Sequence, residues 1–296
     1  MLGRSHTLKS ARLKERRRKV VIGKIVLGCI SAGGLWGLVF WLAGLSAITI
    51  RGVEVWGTVS VSPDSVAASA EKFLSGRYLF TVPRASIFFY PKELITKNIF
   101  ESYPRVEQAE VRFKNFNTIH IAIAEREAAA LWCRPLVVPE TRLGEKWDDC
   151  FLMDGAGFIF DKFDQGDPAS PDVVKFTTST RYPAYVKFYG GLSSTTDPVR
   201  QTYAPVKLFR ELLLFSDDVA VFGITVLAVR ERPDGDLDVE LLEGGRLVLS
   251  SEPDVASVVS NLQSVISEPD FGGVEGLKKV DYIDMRFGNK VFYKLK

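Results

Sequence analysis

Two histidines, three cysteines and a few close-set carboxylates are the residues of this 296-residue chain best equipped for chemistry. His6 lies in a basic N-terminal tail, whereas His120 alternates with apolar residues in a strand pattern, so the two are not expected to meet. Neither a Gly-x-Ser-x-Gly elbow nor a His-Glu-x-x-His pair accompanies them, which leaves His120 without a nucleophile or metal to serve. Gly155 and Gly157 lack the third glycine and the strand-turn-helix setting of a dinucleotide site, and no Gly-Lys-Ser/Thr phosphate loop occurs. Asp148, Asp149 and Asp154 do not have calcium-loop spacing. Glu125 and Glu127 share one face of a strand, as glycosidase carboxylates could, but solvated acids show the same spacing. Cys133 and Cys150 have 16 residues between them and no Cys-x-x-Cys partner, which argues against zinc. They form either a disulfide, worth about 3 kcal/mol by loop closure, or a pair of buried thiols. No catalytic residue, metal or cofactor is expected.

Charge separates the chain into two parts. Lysine and arginine number 38 and aspartate and glutamate 36, but residues 1–24 hold nine of the basic groups and only one acid, Glu15. The rest is net negative, with 29 basic against 35 acidic residues, which excludes a general nucleic-acid binder. The 46% hydrophobic content excludes a disordered chain.

Residues 25–50 contain no charge and no proline, a run longer than the roughly 20 residues that cross a bilayer as a helix. A transmembrane signal-anchor helix is expected within 25–47. The short basic tail, residues 1–24, then stays cytoplasmic and everything beyond the span is extracytoplasmic. A cleaved signal peptide is the competing reading, because Ser46 and Ala47 are small, but signal h-regions are shorter, about 7–15 residues. Gly33 and Gly37 form a Gly-x-x-x-Gly that would admit another helix, and glycine is also common in such spans.

Beyond the span, Val53 and Val55 alternate with polar neighbours up to Gly57. Ser62 and Pro63 then open a helix carrying Val66, Ala70, Phe73 and Leu74 at helical spacing, and a second helix starts near Pro91 and stops before Tyr103-Pro104. Ala109, Val111 and Phe113, then Ile119, Ile121 and Ile123, give two strands joined at 115–117. The order β-α-α-β-β predicts a small α+β domain over 48–126. Residues 127–296 form a strand-rich β-domain with flanking helices: strands at 150–153 and 158–160, a polar stretch at 161–183, a helix over 205–215, a meander at 224–230, 237–242 and 246–250, and a helix opened by Pro253.

The last segment has the clearest alternation. Ile283, Met285 and Phe287 precede a Gly288-Asn289 turn, and Val291, Tyr293 and Leu295 then alternate with Lys290, Phe292 and Lys294. This is a hairpin with a type II′ turn, and its final strand is expected at a sheet edge. An exposed edge can accept a partner strand through its unpaired N–H and C=O groups, or its lysines can serve only to discourage aggregation.

In order and spacing, these motifs resemble the FtsQ/DivIB family of bacterial cell-division proteins over nearly the whole chain. The resemblance is carried by Val53-Glu54-Val55-Trp56-Gly57, by Tyr103-Pro104-Arg105-Val106 leading to Val111-Arg112, and by Ile119 to Glu125-Arg126 with Ala130-Leu131-Trp132. It continues in Phe151-Leu152-Met153-Asp154-Gly155 with Phe160, and in Asp281-Tyr282-Ile283-Asp284-Met285-Arg286-Phe287. Arg105, Phe116 and Ala128 stand where that family usually has Trp, Pro and Pro.

The resemblance implies that the 48–126 module is a POTRA domain, followed by an FtsQ-type β-domain. It implies a non-enzymatic divisome scaffold at the septum that binds FtsB- and FtsL-type proteins and helps control septal peptidoglycan synthesis, with a further partner at the POTRA module. The partner segment would add as a strand at Lys290, Val291, Phe292, Tyr293 and Lys294, with Arg286 pairing a partner carboxylate and Phe287 as an apolar anchor. Arg286→Glu or proline at Phe292 is then expected to abolish binding. Two other classes compete: a membrane-tethered POTRA adaptor or chaperone for envelope protein assembly or secretion, and a wall hydrolase, for which no catalytic set is present.

Overall fold

A computed structural model of the chain describes residues 11–43, 49–78, 82–134, 149–164, 185–192, 197–203 and 205–296. His6, Ser46, Ala47, Asp148 and most of the polar stretch 161–183 lie outside these residues. The chain is mixed α+β, with one apolar N-terminal helix and a large sheet. Two compact units are present: Met1–Trp56, Pro63–Ile99 and Glu110–Ala122 form the first, and Gly57–Ser62, Phe100–Ala109 and Ile123–Lys296 the second.

Helix α1, Ala11–Ala43, starts well before the charge-free run that was expected to bound it. Arg16, Arg17, Arg18 and Lys19 are good helix formers and nothing in 11–24 breaks the turn, so the helix continues into the basic segment. Among the described residues it is the one helix long and apolar enough to cross a membrane, as either a single-pass anchor or a signal sequence would be.

In the first unit, β1 (Gly52–Trp56) pairs in parallel with β5 (Thr118–Glu125), from Gly52 opposite Thr118 to Trp56 opposite Ala122. β4 (Val106–Asn115) completes a sheet of order β1-β5-β4. The parallel pair needs a crossover, which α2 (Pro63–Leu74) and α3 (Lys92–Ser102) supply, together with a two-residue ribbon of β2 (Arg77–Tyr78) and β3 (Val82–Pro83). α2 buries Val66, Ala70 and Leu74, α3 buries Ile95 and Ile99, and the strands bury Val111, Ile119 and Ile121. These are most of the apolar stripes visible in the sequence, but Phe113 of the β4 pattern and Leu94 beside Ile95 are exposed rather than buried.

Gly57 ends β1 with φ +85°, and a Cβ there would stand 2.1 Å from the Ile123 carbonyl oxygen, so only glycine fits. Just beyond it the Glu125 carboxylate accepts the N–H groups of Val59, Ser60 and Val61 at 2.6–3.0 Å. Glu125 therefore organises a turn.

The second unit is built on nine strands in the order β14-β13-β12-β11-β10-β9-β6-β7-β8. They are β6 (Ala130–Arg134), β7 (Asp149–Met153), β8 (Ile159–Lys162), β9 (Val186–Tyr189), β10 (Val226–Glu231), β11 (Leu237–Leu241), β12 (Arg246–Leu249), β13 (Val280–Phe287) and β14 (Lys290–Leu295). β10-β11-β12 is the expected meander. Three parallel joins, β6–β9, β9–β10 and β12–β13, connect it to its neighbours. Helix α4 runs from Val206 to Ala220, past the expected end at Phe215, because Ser216 and Val219 continue its buried stripe. Helix α5, Val255–Ser267, begins after Asp254 rather than at Pro253, with the Asp254 carboxylate accepting the Ser257 N–H at the cap.

Alternation along β6 sends neighbouring residues to opposite faces. Ala130 and Trp132 join the main core with Phe188, Phe209 and Phe215, against residues of α4, α5 and the 3₁₀ turn Gly273–Lys279. Leu131 and Cys133 join a second cluster with Leu152, Phe160 and Tyr185. Cys133 and Cys150 stand opposite each other on β6 and β7 and are disulfide-bonded, whereas Cys29 is a free thiol.

Candidate functional site

The terminal hairpin begins with a turn that its residues dictate. Gly288 has φ +63° while Asn289 keeps a negative φ, the arrangement of a type II′ turn, and Phe287 stands opposite Lys290. The Gly288 carbonyl accepts a bond from the Asn261 side chain at 2.6 Å, which ties the turn to α5. β14 follows as the first strand in the sheet order, and among the described residues no strand pairs with its outer side.

All seven residues expected at a partner surface come together in this hairpin. Phe287 and Phe292 are exposed and meet edge to face, with centroids 5.6 Å apart. Val291 and Tyr293 face the helix side, where Val291 packs on the main core and Tyr293 meets Phe271 at 5.9 Å. Lys294 bonds Asp281 at 3.0 Å, and that bond holds the Asp281 carboxyl below its ordinary range. Lys290 is exposed.

Arg286 differs from expectation. Its guanidinium grips Asp284 in a bidentate pair at 2.9 and 2.6 Å and reaches Asp236 at 2.7 Å. The Arg286 bonds hold buried Asp284 below the usual carboxylate range, and the two carboxylates raise Arg286 in turn. The guanidinium is thus already satisfied within the chain, and a charge reversal there would remove an internal tie as well as any external contact. Asp284 was legible in principle, since strand alternation puts 284 and 286 on one face. Asp236 arrives from the turn after β10, and no local pattern announces it.

The proline expectation also changes. The Lys296 N–H bonds the Lys279 carbonyl at 2.9 Å, and β14 is regular, both bulges of the pair lying on β13. Lys294, Phe292 and Lys290 therefore point their N–H groups inward at β13, and Val291, Tyr293 and Leu295 point theirs outward. Proline at Phe292 would break the hairpin itself. Leu295, exposed and outside the expected set, adds one of the three outward donors.

A polar strip leads across the sheet to Arg286. Arg230 lies over the Tyr189 ring at 3.9 Å and bonds Glu240 at 2.7 Å, Arg246 pairs with Asp238 at 3.5 Å, and Arg246 also lies over Tyr282 at 5.8 Å. Opposite charges thus stand on adjacent strands.

The other chemically suggestive residues make contacts within the chain. Asp154 binds its own turn through the N–H groups of Ala156 and Phe158 and pairs with Arg126. Asp149 pairs with Lys162 at 2.9 Å. His120 meets Trp56 edge to face. No three His, Cys, Asp or Glu among the described residues are grouped to hold a metal. No protein-family model matches the chain, and no curated protein is significantly similar to it.

Proposed function

We propose that the chain is a single-pass membrane protein, N-terminus cytoplasmic, whose extracytoplasmic part is a non-enzymatic divisome scaffold of FtsQ/DivIB type. In this reading the first unit is a POTRA-type module and β14 takes up a strand from an FtsB-type partner. The observation that carries it is the position of β14: an outermost strand with three outward N–H groups beside an exposed Phe287–Phe292 pair. Such an edge supplies backbone bonds for affinity and side chains for specificity.

An N-terminal fluorescent fusion tests the reading in dividing cells. A band at the division site that brings FtsB-type protein with it on purification is the expected result. Uniform membrane signal through the cell cycle refutes the scaffold role and favours a POTRA adaptor for another envelope process.

A further inference from the structure

Three phenylalanines of the first unit are exposed. Phe88 is 71% exposed, Phe116 74% and Phe89 44%. They occupy two turns that are far apart in sequence, and the chain just after the apolar helix pins both. Thr49 bridges Ser86, the Ile50 N–H bonds the Ala85 carbonyl at 2.7 Å, and the N–H groups of Arg51 and Gly52 bond the Asn117 carbonyl at 2.7 and 3.2 Å. Residues 49–52 are thus the common anchor point of both aromatic turns.

Sequence arithmetic fixes where that point lies. Twenty helical residues cross about 30 Å of hydrocarbon, so a span starting at Ile25 leaves it near residue 45. From there even a fully extended chain carries Thr49 no more than about 14 Å outward. Arg51 is the first charge after the run. In sequence, residues 77–92 hold Arg77, Arg84 and Lys92 before the first acid, Glu93, and residues 49–53 add Arg51 before Glu54, which Lys114 pairs at 2.6 Å. Exposed aromatic side chains in turns whose flanking segments carry an excess of basic residues, tethered within a short reach of the bilayer, match a surface of anionic lipid better than open solvent.

We propose that this end of the first unit docks on the outer leaflet, with Phe88, Phe89 and Phe116 entering the headgroup and acyl boundary and Arg51 and Arg84 meeting lipid phosphates. The proposal rests on the membrane-anchor reading. Docking there would limit how far the first unit swings from its anchor.

The test uses the full chain in vesicles of phosphatidylethanolamine and phosphatidylglycerol. In a Cys29→Ser background, single cysteines replace Phe88, Phe116 or, as a control, Asp64, exposed in the first turn of α2. Each carries an environment-sensitive nitrobenzoxadiazole probe, and the bridged Cys133 and Cys150 do not react. Probes at 88 and 116 are expected to shift to the blue and lose most of their emission to a headgroup-level nitroxide lipid, while the probe at 64 does neither. Arg51→Glu with Arg84→Glu should weaken that quenching.

Probes at 88 and 116 that behave like the one at 64 would overturn the docking. A probe on native Cys29 separates the two layers of the argument. Quenching of Cys29 by a deep nitroxide with none at 88 and 116 refutes docking and leaves the anchor standing. Loss of the Cys29 signal as well refutes both. Blue-shifted but unquenched emission that fades as protein is diluted in lipid would assign the aromatic face to a second copy and overturn the lipid proposal.

Discussion

Proline at Tyr293 separates strand addition from every other way this hairpin could bind. The Tyr293 N–H points away from β13, so its removal breaks no bond within the sheet, yet it is the middle of the three outward donors. A partner strand loses one backbone bond there, worth about 0.5–1.5 kcal/mol net, and its own carbonyl is left desolvated, about 1–3 kcal/mol more. Together these predict a loss of about 1.5–4.5 kcal/mol, or roughly tenfold to somewhat over a thousandfold in affinity at 1.4 kcal/mol per decade. Tyr293→Ala is the control, since it loses the same ring contact with Phe271 but keeps the donor. Affinities of the full-length variants for the FtsB-type partner, read by titration of the purified proteins, should therefore place Tyr293→Pro far below Tyr293→Ala. Thermal midpoints of the two should lie close together, because neither changes an inward bond. Equal affinities for the two would refute strand addition at β14, whatever the effect of losing the ring.

Two further outcomes follow from the same unit. Replacing Cys133 and Cys150 by serine opens a bridge with sequence separation 17, which loop-closure entropy values at about 3 kcal/mol, so the urea midpoint of the chain should fall and added dithiothreitol should lower only the parent. Asp284 has its carboxyl depressed by Arg286, so its stabilising contribution is complete above the ordinary aspartate value, about 4, and is lost as pH falls through the lower folded value. Thermal midpoints measured from pH 6 downward should therefore drop more steeply for the parent than for Asp284→Asn, and parallel curves would deny the pair its role.

Local pattern carried most of the elements. Alternation and turn residues mark the hairpin at 280–295, and helical stripes mark α2 and α3, because each signal lies within a few residues of its cause. The limits of that legibility are physical. No local rule tells β12 to take β13 as a parallel neighbour, since that pairing is decided by what α5 and the 3₁₀ turn bury between them. The same holds for Asp236, whose contact with Arg286 spans 50 residues and depends on the sheet order. The pairing of Arg286 with a partner carboxylate was therefore expected without sight of the internal carboxylates that already hold it. The direction of each N–H in β14 was likewise unreadable from alternation of side chains alone, since it depends on which flank the partner strand occupies.

The sequence left two readings of the last strand, a docking edge or an edge defended by lysine, and the geometry bears on both. A defended edge carries charge, proline or a bulge on its own outer strand. Here the bulges lie on β13, β14 contains no proline, and the outward N–H groups belong to Val291, Tyr293 and Leu295. The lysines occupy the alternate positions, whose N–H groups point inward, and Lys294 is neutralised by Asp281. What remains is regular, apolar at the positions that present backbone, and bordered by an exposed aromatic pair. Defence by Lys290 and by Lys296, whose ammonium bonds the Lys278 carbonyl, is weak against a partner that brings a carboxylate, since those charges then become attractive. An edge of this composition repels random strands poorly and selects acidic ones, which suits a dedicated partner better than a blocked surface.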